Sequence, residues 1–390
     1  MTTSKIIPAV ILASLLPAFA TAAASHLTVK AVNRLPFARA SQTIELSTAQ
    51  LAPLGEKDLG KIHVQDASGR ELICQAVDTD FDAYHKPDEV IFQNDFAPGE
   101  TKTFTVTTGK KQTFKPADYK AYGRFVRERF DDYAWENDLI AHRTYGQALE
   151  TWLGEPLTSS AIDIWSKLNP TLIINEWYMM GDAFYHHLNS NGGDDYSAGT
   201  TRGDGGNGLW ADNRLWVSKN FIHSRTLASG PIRVLFELDY APFDVNGKPV
   251  AETMRVSLDA GSQMDHYIVT YKPETTTTLT PAVGLKKVKG EQRKFNAAFG
   301  TLAIWEPMEQ KRGMQGVAVI VDPKNFVQQA EDKQNNLLVL KTAADNSISY
   351  WAGFAWDKAG KITNQEAWNK YVADFAQGVQ LPIEVSASAE

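Results

Sequence analysis

The chain is poor in cysteine, has no concentrated stretch of basic residues, and has no apolar run long enough to span a bilayer. Cys74 is the one cysteine among 390 residues, so no intramolecular disulfide can form. It sits in ELICQAV among apolar neighbours, the setting of a small buried core residue. The fold must therefore rest on core burial, for which 43% hydrophobic residues in a chain of this length suffice. Lys and Arg number 39 against 46 Asp and Glu, a net charge of −7, and nowhere form a basic cluster, so nucleic acid is not an expected partner. A G-x-S-x-G elbow, a P-loop and a G-x-G-x-x-G following a strand are also missing, which disfavours serine-hydrolase, ATP and nicotinamide chemistry. No cofactor is expected.

The first two dozen residues read as a secretory leader. Lys5 supplies the positive start, Ile6 to Ala20 the apolar core, and Ala18-Phe19-Ala20 or Ala22-Ala23-Ala24 a small-residue cleavage site. Pro17 interrupts an apolar run already too short for a membrane anchor. The expectation is a signal peptide over residues 1–24 and a periplasmic or secreted protein with no membrane contact once the leader is removed. Loss of Lys5 would leave 38 basic against 46 acidic residues, a net −8.

The rest of the chain is mostly strand. LTVKAV, QTIELS, KIHVQDA, ELICQAV, EVIFQN and KTFTVTT are β-rich runs separated by turn signals at Asp66–Gly69 and Ala97–Glu100, which predicts a small immunoglobulin-like sandwich over residues 25–115. From 118 to 385 the pattern implies one large antiparallel β-sandwich. In GPIRVLFELDYAPFDV, Ile232, Val234, Phe236, Leu238 and Tyr240 share one face, and Asn246-Gly247 makes a hairpin turn. Near the end, Thr363-Asn-Gln-Glu366 reads as a capping box before Trp368, Tyr371, Val372, Phe375 and Ala376 at helical spacing. The fold class is thus mainly β: a small N-terminal sandwich, a large supersandwich-like one, and a C-terminal amphipathic helix.

Two segments concentrate chemistry. In RERFDDYAWENDLIAHRTYGQALE, a strand from Trp135 to Tyr145 would place Trp135, Asn137, Arg143 and Tyr145 on one face. An aromatic platform, an amide, a guanidinium and a phenol suit a sugar ring bearing a carboxylate. The plain alternative is a buried Arg–carboxylate network tying the two sandwiches together. The second segment, YHHLNSNGGDDYSAGTTRGDGGNGLW, has no strand or helix period and packs Tyr185, His186, His187, Asp194, Asp195, Tyr196, Arg202 and Asp204 among glycines. Long irregular segments inside compact domains, when ordered, are usually functional. Three readings stand for it: acid–base catalysis by His186 or His187 with Tyr185 or Tyr196; oxygen ligands for calcium from Asp194, Asp195, Asp204 and Asn207, though without EF-hand spacing; or a glycine-rich turn capped by its own Asp and Asn side chains. Arg202 and His223 are candidate substrate contacts, as is Asp195.

Several runs carry a resemblance: residues 127–149, SAIDIWSK, YHH followed by GDDYSAGTTRG, APFDVNG and YWAGFAWDK. On these the chain resembles a family of exported bacterial proteins of unknown function, commonly encoded in polysaccharide-degradation gene clusters. The resemblance implies an acidic oligo- or polysaccharide partner, pectin-like or ulvan-like, and a sandwich similar to galactose-mutarotase-like and polysaccharide-lyase folds. No mutarotase histidine and glutamate pair can be matched, so no catalytic role carries over. The leading expectation is a lyase acting by β-elimination, with Arg143 or Arg202 neutralising the uronate, His186 or His187 as base, and Tyr145, Tyr185 or Tyr196 as acid. A glycoside hydrolase using paired carboxylates, or a non-catalytic binder stacking sugars on some of the ten tryptophans, are the alternatives.

Overall fold

The computed structural model describes residues 24–80 and 85–389. The leader expected over residues 1–24 lies, but for its last residue, outside them. The architecture is mainly β, built from antiparallel sheets, with one long helix near the C-terminus.

The first sandwich pairs a five-stranded sheet with a three-stranded one around a core that includes Val29, Ile44, Phe92, Phe104 and Cys74. All six predicted runs form strands, but ELICQAV divides: Glu71–Leu72 joins the larger sheet and Cys74–Val77 the smaller. The larger sheet takes its edge from the far end of the chain, where Glu384–Ala389 runs antiparallel to Leu27–Val32. Nothing in EVSASA advertises that strand, because its apolar content is slight.

The larger unit is organised around an eight-stranded sheet that includes Arg233–Val245, Lys248–Asp259, Met264–Pro273, Ser347–Trp356, Met314–Val321 and Thr301–Pro307. Two five-stranded sheets pack on it through one continuous core, to which Trp135 and Ile164 contribute from one and Leu209, Val283 and Leu338 from the other. The alternation read in 232–240 holds for Val234, Phe236, Leu238 and Tyr240, all of which are in this core. Asn246 and Gly247 both take positive φ, 54° and 76°, as the tight hairpin demands. The helix Gln365–Gln380 lays Trp368, Val372 and Ala376 on the sheet's opposite face; its cap is Asn364, whose side chain accepts from Ala367 N at 2.9 Å.

The Arg–carboxylate network that joins the sandwiches lies not in the 127–150 segment, where the plain alternative puts it, but around the part-buried Arg233. That guanidinium reaches Asp259 at 2.6 Å, Glu45 at 2.7 Å and Glu89 at 3.1 Å, the last two from the first sandwich. Gln75 Oε1 accepts from Ile232 N and Arg233 N alongside it.

Candidate functional site

The first segment singled out in the sequence is a hairpin rather than a single strand. Asp132–Asn137 turns at Asn137, whose Oδ1 accepts from Leu139 N and Ile140 N, and returns as Ala141–Thr144. The return inverts the expected faces. His142 now lies opposite Trp135 and Arg143 opposite Ala134, so Trp135 and His142 face the core while Asp132, Glu136 and Arg143 face outward. The next strand, Asp163–Lys167, pairs Asp163 directly with Arg143 and Trp165 with Ala141, adding an acid and an indole to the outward face.

Over that face lies a short helical cover. Glu136 accepts Lys167 Nζ at 2.7 Å and the Ile173 and Ile174 amides at 2.9 Å each, fixing the start of helix Ile174–Met180. Gly181 then takes φ of 83°, and a single turn brings Tyr185 against Trp165 at 4.8 Å. Trp165, Tyr185 and Tyr145 enclose the Arg143 guanidinium at 5.3–5.7 Å, a cation–π box.

Arg143 is the hub. Its Nε donates to Asp163 Oδ2 at 2.7 Å and its Nη2 to Asp194 Oδ2 at 2.9 Å, while the Tyr145 hydroxyl donates to the same Asp163 oxygen at 2.8 Å. Burial disfavours the Arg143 charge, but the two carboxylates outweigh it and raise its pKa. Arg129 stands nearby, its guanidinium over Phe130 and Trp152 and its Nε 3.3 Å from Asp182, which also accepts the Tyr185 hydroxyl. Both arginines keep one buried guanidinium nitrogen, Nη1, without a hydrogen-bond partner.

A cleft of about 240 Å³ opens here, lined by Arg129, Arg143, Tyr145, Asp163, His186 and Asp194, with Tyr196 and Glu309 among its further walls. His186 is half-exposed to it, and its Nδ1 lies 3.4 Å from Asp194 Oδ2. Partial burial and then the Arg143 charge lower its pKa, so the ring is neutral at pH 7. Asp194 is pushed up to about 7 by burial and by Asp163, which shares its guanidinium; Arg143 opposes the shift. Burial likewise lifts Asp132 to about 7 and the Tyr145 phenol well above its ordinary value. The cleft is thus lined by two guanidinium groups, a neutral imidazole and protonated phenols, with the partnerless Nη1 atoms buried in its wall.

The structure thus gathers Arg143, Tyr145 and His186 on one cleft, with Tyr185 behind as a fully buried wall of the arginine box. Other sequence candidates lie elsewhere. Trp135 is fully buried, its indole donating to Asp265 at 2.6 Å, and Asn137 spends its amide on the Asp259 and Ser262 carbonyls; the hairpin turned both inward. Arg202 is 1% exposed, donating to Ser160 Oγ and Asn207 O at 3.0 Å inside the sandwich, because Gly203 at φ 58° presses the loop against Ile162 and carries the arginine inward. His187 is exposed on the outer side and bonds Ala183 O; His223 is exposed on an edge strand. Asp195 turns from its neighbour toward Arg312 at 3.2 Å and lines an adjoining cavity. The four residues considered for calcium are dispersed: Asp194 serves Arg143, Asp195 serves Arg312, Asn207 donates its amide nitrogen to Glu252, and Asp204 is buried beside His142 and Asp265. Among the described residues the acidic group with ligand spacing is Asp78, Asp80 and Asp88, in the first sandwich.

Arg129 and Asp163 escaped the sequence reading. Asp163 carried a signal, a lone acid inside the otherwise strand-like SAIDIWSK, where a buried carboxylate demands a partner. Arg129 carried none, since its placement depends on positive φ at Phe130 and Asp131.

Fold and cleft together define a two-sandwich β protein with an opening at which Arg129 and Arg143 meet the acids Glu155, Asp163, Asp194 and Glu309. By sequence the chain belongs to the family described as Domain of unknown function (DUF4861), which matches residues 32–385. A relative from Formosa agariphila, Uncharacterized protein P7, is 31% identical over 374 residues, 93% of each chain. Among solved structures, an alpha-mannosidase from Enterococcus faecalis V583 superposes with a TM-score of 0.50 at 9% identity, and a protein in Glycosyl Hydrolase Family 38 from Enterococcus faecalis with 0.51 at 10%. Each match takes in 94% of this chain but only 46% and 48% of those, so this chain spans about half their length and shares a fold with that part.

Proposed function

We propose that the protein is an exported carbohydrate-active enzyme that cleaves acidic, uronate-bearing glycans by β-elimination at the Arg129–Arg143 cleft. The observation that carries this reading is the pair of buried Nη1 atoms without partners, beside a half-exposed histidine held neutral. Buried donors are seldom left unpaired, and a planar carboxylate is the group that guanidinium nitrogens match. A sandwich shared with carbohydrate-processing proteins and the leader-like first residues agree with it.

In the reaction, a uronate carboxylate held by Arg129 and Arg143 loses its resistance to carbanion character at C5. The neutral His186 ring takes the C5 proton as the C4–O bond breaks and C4=C5 forms. The departing oxygen receives a proton from an acid, for which the Tyr145 phenol is placed on the same cleft. The steps call on no cofactor. Asp194 supports a second reading, since a buried carboxyl near 7 is suited to general-acid work in a glycoside hydrolase.

The test is incubation of the purified protein with pectin, rhamnogalacturonan, ulvan and alginate oligosaccharides, followed by mass spectrometry and the absorbance of the new double bond. Fragments carrying that double bond support elimination, whereas fragments gaining water replace it with hydrolysis. Saturable binding of intact ligand would reduce the protein to a binder.

A further inference from the structure

A second cavity, about 210 Å³, adjoins the first across Tyr196 and Glu309, which line both. Glu306 and Gln315 form its wall. They face each other in register on neighbouring strands, and Gln315 Nε2 donates to Glu306 Oε1 at 2.7 Å. Lys286, Lys287 and Lys289 line the same cavity, with Lys289 exposed. Lys286 is held by Ser197 O and Glu309, with its ammonium 4.8 Å from the Tyr196 ring.

Four buried polar atoms among its lining residues have no hydrogen-bond partner: Glu306 Oε2, Gln315 Oε1, Asp195 Oδ2 and the Tyr196 hydroxyl. Such a concentration in one place is unusual for a purely structural wall. Burial, with Glu291 adding, pushes the Glu306 carboxyl up to about 8, so it is protonated at pH 7. A protonated carboxyl and a phenol both donate and accept, and an amide oxygen accepts. That set matches sugar hydroxyls, which do the same. A divalent cation would want several ionised oxygens, and the acids here are already spent, Asp195 on Arg312 and Glu309 on Lys286.

We infer that this second cavity is a subsite for the neighbouring sugar unit of an acidic chain, its Glu306–Gln315 wall taking hydroxyls and its lysines the carboxylate. The inference rests on the uronate reading of the first cleft and extends it: the enzyme reads at least two adjoining units, one on each side of Tyr196.

The test is calorimetry with two- and four-unit oligogalacturonides and ulvan oligosaccharides on His186→Ala protein, which holds them uncleaved. The four-unit ligand is expected to bind at least tenfold more tightly than the two-unit one. Adding Lys289→Glu or Gln315→Leu should remove that advantage and leave two-unit affinity unchanged. Lys289 is exposed, so its reversal tests the subsite without disturbing the core. A length advantage that is absent, or that survives both substitutions, overturns the subsite while leaving the first cleft intact. Calcium uptake abolished by Gln315→Leu would also overturn it. No binding of any oligosaccharide brings down the uronate reading and the subsite with it.

Discussion

Arg143 and Asp163 stand directly opposite each other on adjacent antiparallel strands, and their side chains close at 2.7 Å inside the protein. The backbone register therefore sets the ion pair, and the aromatic rings of Trp165, Tyr185 and Tyr145 shield it from water. Because Arg143 also holds Asp194, one guanidinium neutralises part of two carboxylates while keeping a nitrogen unused.

Removing this hub should be severe. Arg143→Ala leaves Asp163 and Asp194 buried without their cation, and stripping one partner from a buried pair costs about 3–5 kcal/mol. Urea denaturation should register that loss. Arg143→Lys keeps the charge but cannot span both acids with a planar fork, so it should recover part of the stability and little of the activity.

The adjacent histidines give an internal control. His186 lines the cleft, whereas His187 points out and bonds Ala183 O. His186→Ala should cut double-bond formation by about 10²–10⁴-fold, the usual range for a lost general base, and His187→Ala should leave it unchanged. With its pKa lowered, His186 stays unprotonated down into mildly acid conditions, so the acid limb of the rate profile should fall below 6.5.

How far these features could be read in the sequence depends on range. Strand alternation at 234–240 and the helical spacing of Trp368, Val372 and Ala376 are local periodicities, and both survive in the structure. The faces of 132–144 did not, because Asn137 makes its turn without a glycine or proline to signal it. The same holds for Arg202: its flanking glycines suggested an open approach, whereas they let the backbone close over Ile162. Of the catalytic candidates, Arg143, Tyr145 and His186 were visible as residue types in suggestive company. The meeting of Arg143 with Asp163 depends on pairing between strands 20 residues apart, and that of Arg129 on the left-handed turn after it, neither of which a local pattern encodes.

Packing of the terminal helix makes a separate prediction. A Cβ at Gly316 would stand 2.4 Å from the Trp368 ring, which fills the space above that strand. Gly316→Ala should push the tryptophan outward and cost about 1–3 kcal/mol, as overpacking does. A lower Tm with altered tryptophan fluorescence would report it, and an unchanged Tm would mean the helix shifts freely.

Buried acids impose a pH dependence on stability whose sign can be worked out. Asp132, Asp194, Asp204 and Glu252 are each raised to about 7 and Glu306 to about 8, burial being the main cause throughout. In the unfolded chain they titrate near 4. Between those values the native state binds more protons than the unfolded one, so stability falls as pH rises. Their contribution is complete below about pH 4 and is lost through pH 7–8. Asp259 acts oppositely: Arg233 outweighs its burial and lowers its pKa, so its contribution disappears in acid. Stability should therefore peak in mildly acidic solution, and the urea midpoint at pH 5 should exceed that at pH 8.5. Glu306→Gln mimics the protonated carboxyl at every pH and should narrow that difference. A midpoint that rises steadily from pH 5 to 8.5 would mean these acids are ionised in the folded protein.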